Sequence, residues 1–315
     1  MSYHFLMDLA LILLSTKILG LVAQKFQMPQ VVGALIAGLI LSPAGLGLLS
    51  ETEFTAQLSE LGVIVLMFSA GMGTDIKELK NSGKAGFMVA VLGVVVPFLM
   101  GTALAWGADE LGLIETTGFL ESVFIGTILT ATSVSITVET LKEMKKLETK
   151  VGNTILAAAL IDDVLGLVAL TLVCSLAGGD ESIGMVLLKI AGFFVFAFVV
   201  GFAANRVFCW MLKRQHGWAS HRNSVFAFVL CLVMAYCAEE FFGVADITGA
   251  YAAGLAVACT PKGTYIQTKY NPLGYLLLTP VFFASIGINV QITGLTGGML
   301  AFSLLLLLIS IISKL

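Results

Sequence analysis

The sequence runs to 315 residues, of which 58% are apolar and only 12% charged, with a mean hydropathy of +1.00. A water-soluble domain carries about 25% charged residues, so this chain has too little polar surface to cover a globular exterior and is at home in lipid. The formal charge of −3, from 17 basic and 20 acidic residues, leaves no basic stripe for phosphates and excludes nucleic acid as a partner.

Reading along the chain, apolar runs long enough to span a bilayer fall near 5–22, 29–49, 58–74, 86–106, 119–141, 151–176, 184–207, 223–242, 244–260, 273–290 and 297–313. The first run has neither a basic leader nor a small-residue cleavage site, so it reads as a retained span. The whole is an all-α polytopic membrane protein.

Charge in the connections tests that count. Lys25, then Lys77, Lys80 and Lys84, then Lys142, Lys145, Lys146 and Lys150 follow runs 1, 3 and 5. Arg206, Lys213, Arg214 and Arg222 follow run 7, and Lys262 and Lys269 follow run 9. These are 14 of the 17 basic residues, and the alternate connections hold none. The alternate connections are acidic instead: Glu51, Glu53 and Glu60, then Asp109, Glu110 and Glu115, then Asp180 and Glu181, then Glu239 and Glu240. By the positive-inside rule the N-terminus lies outside the cell membrane and the C-terminus in the cytoplasm.

Cofactor chemistry drops out next. The five cysteines lie inside apolar runs with no C-x-x-C, and His4, His216 and His221 form no ligand cluster. No glycine-rich phosphate loop is present, and no cofactor is expected beyond a transported ion.

An internal repeat is written into the apolar runs. Gly33-Ala34-Leu35-Ile36-Ala37-Gly38-Leu39 matches Gly249-Ala250-Tyr251-Ala252-Ala253-Gly254-Leu255 at five of seven positions, at an offset of 216. At the same offset Ser69 and Gly71 meet Ser285 and Gly287. Small residues pack helices in any membrane protein, but two matches in different runs at one offset point to a true repeat. The division is 1–180 for a first six-helix repeat, 181–220 for a linker helix and 221–315 for a second repeat, all within one transmembrane transporter domain (1–315). Six spans plus one linker reverse the second copy, and inverted repeats are an architecture of secondary transporters. The second copy holds four spans against six, the partners of the fifth and sixth being missing, so a chain truncated after Leu315 is the expectation.

Ionisable groups inside a span cost about 2.5–3.5 kcal/mol each and are functional candidates by default. Asp162 and Asp163 lie near the middle of run 151–176, beyond snorkelling reach. Adjacent helical residues point about 100° apart, so one acid can face a cavity while its neighbour meets another helix. A carboxylate in such a place holds either a proton or a metal cation, and that competition suffices for antiport. Run 119–141 carries Thr130, Thr132, Ser133, Ser135 and Thr137, which reads as a broken helix offering hard oxygens to a small cation, or as hydroxyls bonded back onto their own helix. Glu139 falls nearer the cytoplasmic end and reads as a solvated or capping acid. Lys17 and Lys189 are placed to snorkel, Asp8 is interfacial, Lys314 closes the last run, and Pro280 should kink or interrupt run 273–290.

The Asp162-Asp163 pair one span after Thr130-Ala131-Thr132-Ser133 resembles the cation:proton antiporter-2 family, in particular its electrogenic sodium/proton branch. Pro29-Gln30-Val31-Val32-Gly33, Phe68-Ser69 with Gly71, and Pro280-Val281-Phe282-Phe283 through Gly287 are similar to the same family. The resemblance implies a 13-helix inverted-repeat antiporter fold with crossing broken helices, of which about 11 are in this chain. It also implies a homodimer in the complete protein, alternating access by movement of a core domain, and Na+ (or Li+) and H+ as the exchanged ions. By the same resemblance Asp163 binds the cation and protons, Asp162 pairs with Lys314, and Thr130, Thr132 and Ser133 line the ion site.

Three other readings stand beside this one. A Kef-type K+/H+ antiporter would usually carry Gln-Asp at this pair. A sodium-coupled organic anion symporter would share the fold, and a truncated remnant would transport nothing. An intramembrane aspartyl protease is disfavoured, since its two carboxyls must face one another across a shared water. No enzymatic activity is expected.

Overall fold

A computed structural model describes residues 3–74, 76–114, 118–176, 183–213, 220–260, 263–291 and 297–314. The helices are α1 (His4–Lys25), α2 (Gln30–Leu41), α3 (Glu53–Gly73), α4 (Ile76–Glu110), α5 (Phe119–Thr130), α6 (Val134–Glu143) and α7 (Lys150–Leu176). They continue with α8 (Ile183–Lys213), α9 (Ser220–Phe242), α10 (Asp246–Ala258), α11 (Gly263–Leu273), a π-helical turn (Gly274–Leu278), α12 (Thr279–Ile288) and α13 (Gly297–Ser313). Each apolar run of the sequence contains a helix, the second only over Gln30–Leu41 and the fifth as the two half-helices α5 and α6. Among the described residues, 8 helical segments are long and apolar enough to cross a membrane, with Gln30–Leu41 and Gly297–Ser313 as shorter apolar helices. Of the connecting charges counted above, Glu115, Asp180, Glu181, Arg214 and Lys262 lie outside the described residues, as does His216.

The helices form two bundles. One is a panel in which α1 packs on α2, α2 on α12, α12 on α3, α3 on α10, and α10 on α9. The other is a core built on α4, which packs against α5, α7 and α13. The panel owes its tight crossings to the repeated glycines. A Cβ on Gly254 would stand 2.9 Å from Gly71 Cα, and one on Gly38 would stand 2.8 Å from the Ala284 carbonyl carbon. Gly71 and Gly287 are equally confined, by Gly254 Cα at 3.0 Å and by the Gly38 carbonyl carbon at 2.9 Å. Adding 216 to the α3 position and subtracting it from the α10 position turns the first crossing into the second. That exchange is what a two-fold relation between repeats generates. Gly62 and Leu278, also 216 apart, lie against each other, with a Gly62 Cβ only 2.7 Å from the Leu278 carbonyl oxygen. This pair maps onto itself when the copies swap.

The interruption expected at Pro280 appears as the π turn just before it. Proline supplies no N–H and crowds the preceding turn. The chain widens there, so that the Thr279 N–H reaches back to the Gly274 carbonyl, and Pro280 opens α12. Lys17 does not simply snorkel. Its ammonium hydrogen-bonds the Tyr275 hydroxyl at 3.0 Å and stands 5.1 Å from the ring centre.

Candidate ion-binding site between the two bundles

The hydroxyl-rich run does break its helix. α5 ends at Thr130, residues 131–133 are extended, and α6 restarts at Val134. Ser133 caps the new helix by accepting the Ile136 N–H at 3.4 Å. The other hydroxyls of the run bond locally. Thr130 donates to the Thr127 carbonyl at 2.7 Å, Thr137 to the Ser133 carbonyl at 2.9 Å, and the Ser133 and Ser135 hydroxyls lie 3.2 Å apart. Both alternatives open in the sequence are therefore present: the helix is interrupted, and much of its hydroxyl chemistry is spent on its own backbone.

A break in mid-span exposes carbonyls at the negative end of a helix dipole, and something cationic must meet them. Lys314 does. Its Nζ donates to the Thr130 carbonyl at 3.1 Å, the Ala131 carbonyl at 3.2 Å and the Thr132 hydroxyl at 2.6 Å. Thr132 passes the contact on, since its hydroxyl hydrogen-bonds the Asp162 carboxylate, on which the Lys314 charge also acts. The lysine thus meets Asp162 through Thr132 and the end of α5, and its own hydrogen bonds go to the broken helix.

α7 places the two acids at the same depth. Asp162 is buried, with 6% of its surface exposed, and Asp163 is half-buried beside it. Asp162 Oδ1 and Asp163 Oδ2 are buried without a hydrogen-bond partner, and the two charges act on each other. A buried unpaired carboxylate oxygen is expensive, and a proton or a bound cation relieves it.

Both acids line a cavity of about 530 Å³ between core and panel. Its core wall is Thr127, Thr130 and Ala131 of the broken helix with Asp162, Asp163 and Gly166 of α7. The panel wall is Glu239 of α9, the 243–245 turn, and Ile247 and Thr248 of α10. Of the five oxygen-bearing residues expected to act together, Thr130, Asp162 and Asp163 line this cavity, whereas Thr132 and Ser133 do not: Thr132 meets Lys314, and the Ser133 hydroxyl is spent on Ser135 and the Ile136 N–H of its own half-helix.

The panel wall was not foreseen. Glu239 reads in sequence as a loop acid, yet its carboxylate accepts the Asp246 N–H at 3.3 Å and faces the cavity. Thr248 is 7% exposed and its hydroxyl has no partner. A signal was available: Thr248 directly precedes the repeated Gly-Ala motif, as an isolated hydroxyl among small apolar residues.

Comparison with known proteins bears on the family and the fold. Residues 10–315 match the family described as sodium/hydrogen exchanger, transmembrane. The chain belongs to that family. Among curated exchangers it is 36% identical to the Na(+)/H(+)-K(+) antiporter GerN of Bacillus cereus over 319 residues, covering 100% of this chain and 79% of GerN. It is 38% identical over 315 residues to the probable Na(+)/H(+) antiporter GerT of the same organism, covering 99% and 80%. The Na(+)/H(+) antiporter of Enterococcus hirae is 35% identical over 317 residues, covering 99% and 80%. The exchanger fold is seen directly in the sodium proton antiporter MjNhaP1 from Methanocaldococcus jannaschii. Its pH 8 structure superposes with a TM-score of 0.65 at 18% identity, over 98% of this chain and 76% of that one. The electron-microscopy structure of the same antiporter gives 0.69 at 19% identity, over 99% and 75%.

Proposed function

We propose that this sodium/hydrogen exchanger trades Na+ for H+ at the Asp162–Asp163 pair by alternating access, with Asp163 as the group that takes cation and proton in turn. The observation that carries the reading is the pair of partnerless carboxylate oxygens facing a 530 Å³ cavity at mid-span. One anionic oxygen cluster in a low-dielectric site holds one small cation or one proton well and both badly. Loading one ion therefore expels the other, and coupling needs only that the loaded site reach either face in turn. Lys314 is a resident cation beside the same oxygens. On this reading it balances Asp162 when the site holds no ion, which supports a place in the electrogenic Asp-Asp branch. Thr130, Thr132 and Ser133 supply neutral oxygens from the break.

Sidedness follows from the lysine-bearing connections. With the N-terminus outside, the Glu239 and 243–248 wall lies at the external end, and this arrangement of the molecule opens its acid pair outward. We read residues 1–180 and 221–315 as the two inverted repeats with 181–220 between them, a division supported by the glycine crossings that exchange at an offset of 216.

Everted vesicles from cells without other antiporters, carrying the full reading frame, test the proposal. Addition of Na+ or Li+ should restore the fluorescence of a quenched pH-gradient dye, and Asp163→Asn should abolish the response at unchanged protein level. Full activity in the Asp163→Asn protein would overturn it. GerN, at 36% identity, is a Na(+)/H(+)-K(+) antiporter, so a dye response to K+ alone would move the reading to a potassium exchanger.

A further inference from the structure

A second cavity, of about 280 Å³, lies between the same two bundles at the opposite end. Facing the panel across it is α6, the half-helix after the break, which packs on α7 of the core as well as on α3 and contributes Glu139 and Glu143 one turn apart. The panel wall includes Thr16 and Lys17 of α1, Gln30 of α2, and Tyr275 and Thr279 around the π turn. Val31 lines this cavity and Ile247 the first one, and the two are 216 apart, so the two cavities meet the panel at equivalent positions of the two repeats.

Glu139 does not behave as the solvated acid its sequence position suggests. Only 5% of it is exposed, and its Oε2 is buried with no hydrogen-bond partner. The neighbouring charged groups each have contacts of their own. Glu143 Oε2 accepts the Gln30 N–H at 2.8 Å and so neutralises the start of α2. Lys17 is held on Tyr275 by its 3.0 Å hydrogen bond. Lys142, the remaining nearby cation, acts on Glu139 along the surface of their own helix. The charged groups that line the cavity, Glu139, Glu143 and Lys17, sum to one net negative charge, in a space with room for several waters, each of which takes about 30 Å³. That is the charge balance of a site for one partly hydrated monovalent ion. A divalent ion takes six or more oxygens, usually with several carboxylates.

We propose that Glu139 holds one monovalent cation at the cytoplasmic side of the bundle interface, a station separate from the Asp162–Asp163 pair and loaded only from within the cell. The inference rests on the exchange and sidedness proposed above. A cation arriving from inside meets Glu139 before the core carries the acid pair to that face, so Glu139 raises the local cation concentration for inward-facing loading alone.

The test compares faces. In the full-length protein, the Na+ dependence of exchange is measured in everted vesicles, where the cytoplasmic face meets the added Na+, and in right-side-out vesicles, where the external face does. Glu139→Gln keeps the shape and removes the charge. It should raise the apparent KM for Na+ about tenfold in everted vesicles and change it by less than twofold in right-side-out ones. Glu139→Asp, which keeps the charge, should recover most of the cytoplasmic affinity, and it covers the case in which the glutamine variant assembles poorly. An equal shift on both faces marks a structural role and overturns the station, as does an unchanged KM on both. The Asp163→Asn protein separates the two readings: its undiminished exchange would defeat the acid pair as the ion site, whereas the station stands or falls on the asymmetry between faces.

Discussion

Gly71 is the position at which the packing of the panel can be weighed most directly. A methyl group there would stand 3.0 Å from Gly254 Cα and closer still to the Tyr251 carbonyl oxygen. These neighbours are backbone, which cannot rotate aside, so α3 and α10 must separate. Overpacking of this kind costs about 1–3 kcal/mol. Against it stands the better helix propensity of alanine, worth roughly 0.5–1 kcal/mol. Gly71→Ala should therefore destabilise by about 1–2 kcal/mol, a fall of roughly 4 °C in Tm for a chain of this size. The control is Gly107→Ala in α4, where nothing lies within 4 Å of the added carbon, so that only the propensity gain remains. Thermal unfolding of the detergent-solubilised protein, followed by size-exclusion recovery, measures both. Gly287→Ala, at the equivalent crossing of α12 on α2, should cost the same within error. The Gly71 and Gly287 losses should add, whereas those of Gly71 and Gly254, which touch, should not. Equal Tm values for Gly71→Ala and Gly107→Ala would refute the close-crossing account, and with it the repeat-swapped geometry of the panel.

Two further outcomes follow from single contacts. Lys314→Met removes the ammonium from the Thr130 and Ala131 carbonyls at the end of α5, a loss of about 1–2 kcal/mol. An unfolding scan should show it, and an unshifted Tm would mean that the lysine does not hold the break together. Tyr251→Phe deletes a buried hydrogen bond from the tyrosine hydroxyl to Thr74 Oγ1 at 3.0 Å, while Thr74 keeps its own bond to the Ala70 carbonyl at 2.8 Å. The cost should be only about 0.5–1.5 kcal/mol, with exchange unaffected, because the pair lies within the panel and away from both cavities. A large loss of activity would place Tyr251 in the transport path.

Much of this protein is legible in one dimension because a bilayer imposes a simple rule: backbone groups must be satisfied within helices, and charges must stay in the connections. Eleven apolar runs, the alternation of lysine-bearing and acidic connections, the break at Ala131–Ser133 and the depth of Asp162 and Asp163 all follow from that rule acting on the residues themselves. The glycine pattern behind the proposed repeat was visible too, since close helix crossings demand glycine, and Gly38, Gly71, Gly254 and Gly287 all lie at such crossings. The tertiary structure decided which groups face one another. Glu139 and Glu239 sit near their helix ends as acids do in many loops, and only the docked helices bury the first and turn the second toward the cavity lined by Asp162 and Asp163. The distribution of Lys314's three hydrogen bonds belongs to the same class. A sequence specifies which groups enter the membrane, but pairing among them is set by how separately folded helices dock, over separations of 184, 183 and 182 residues in this case.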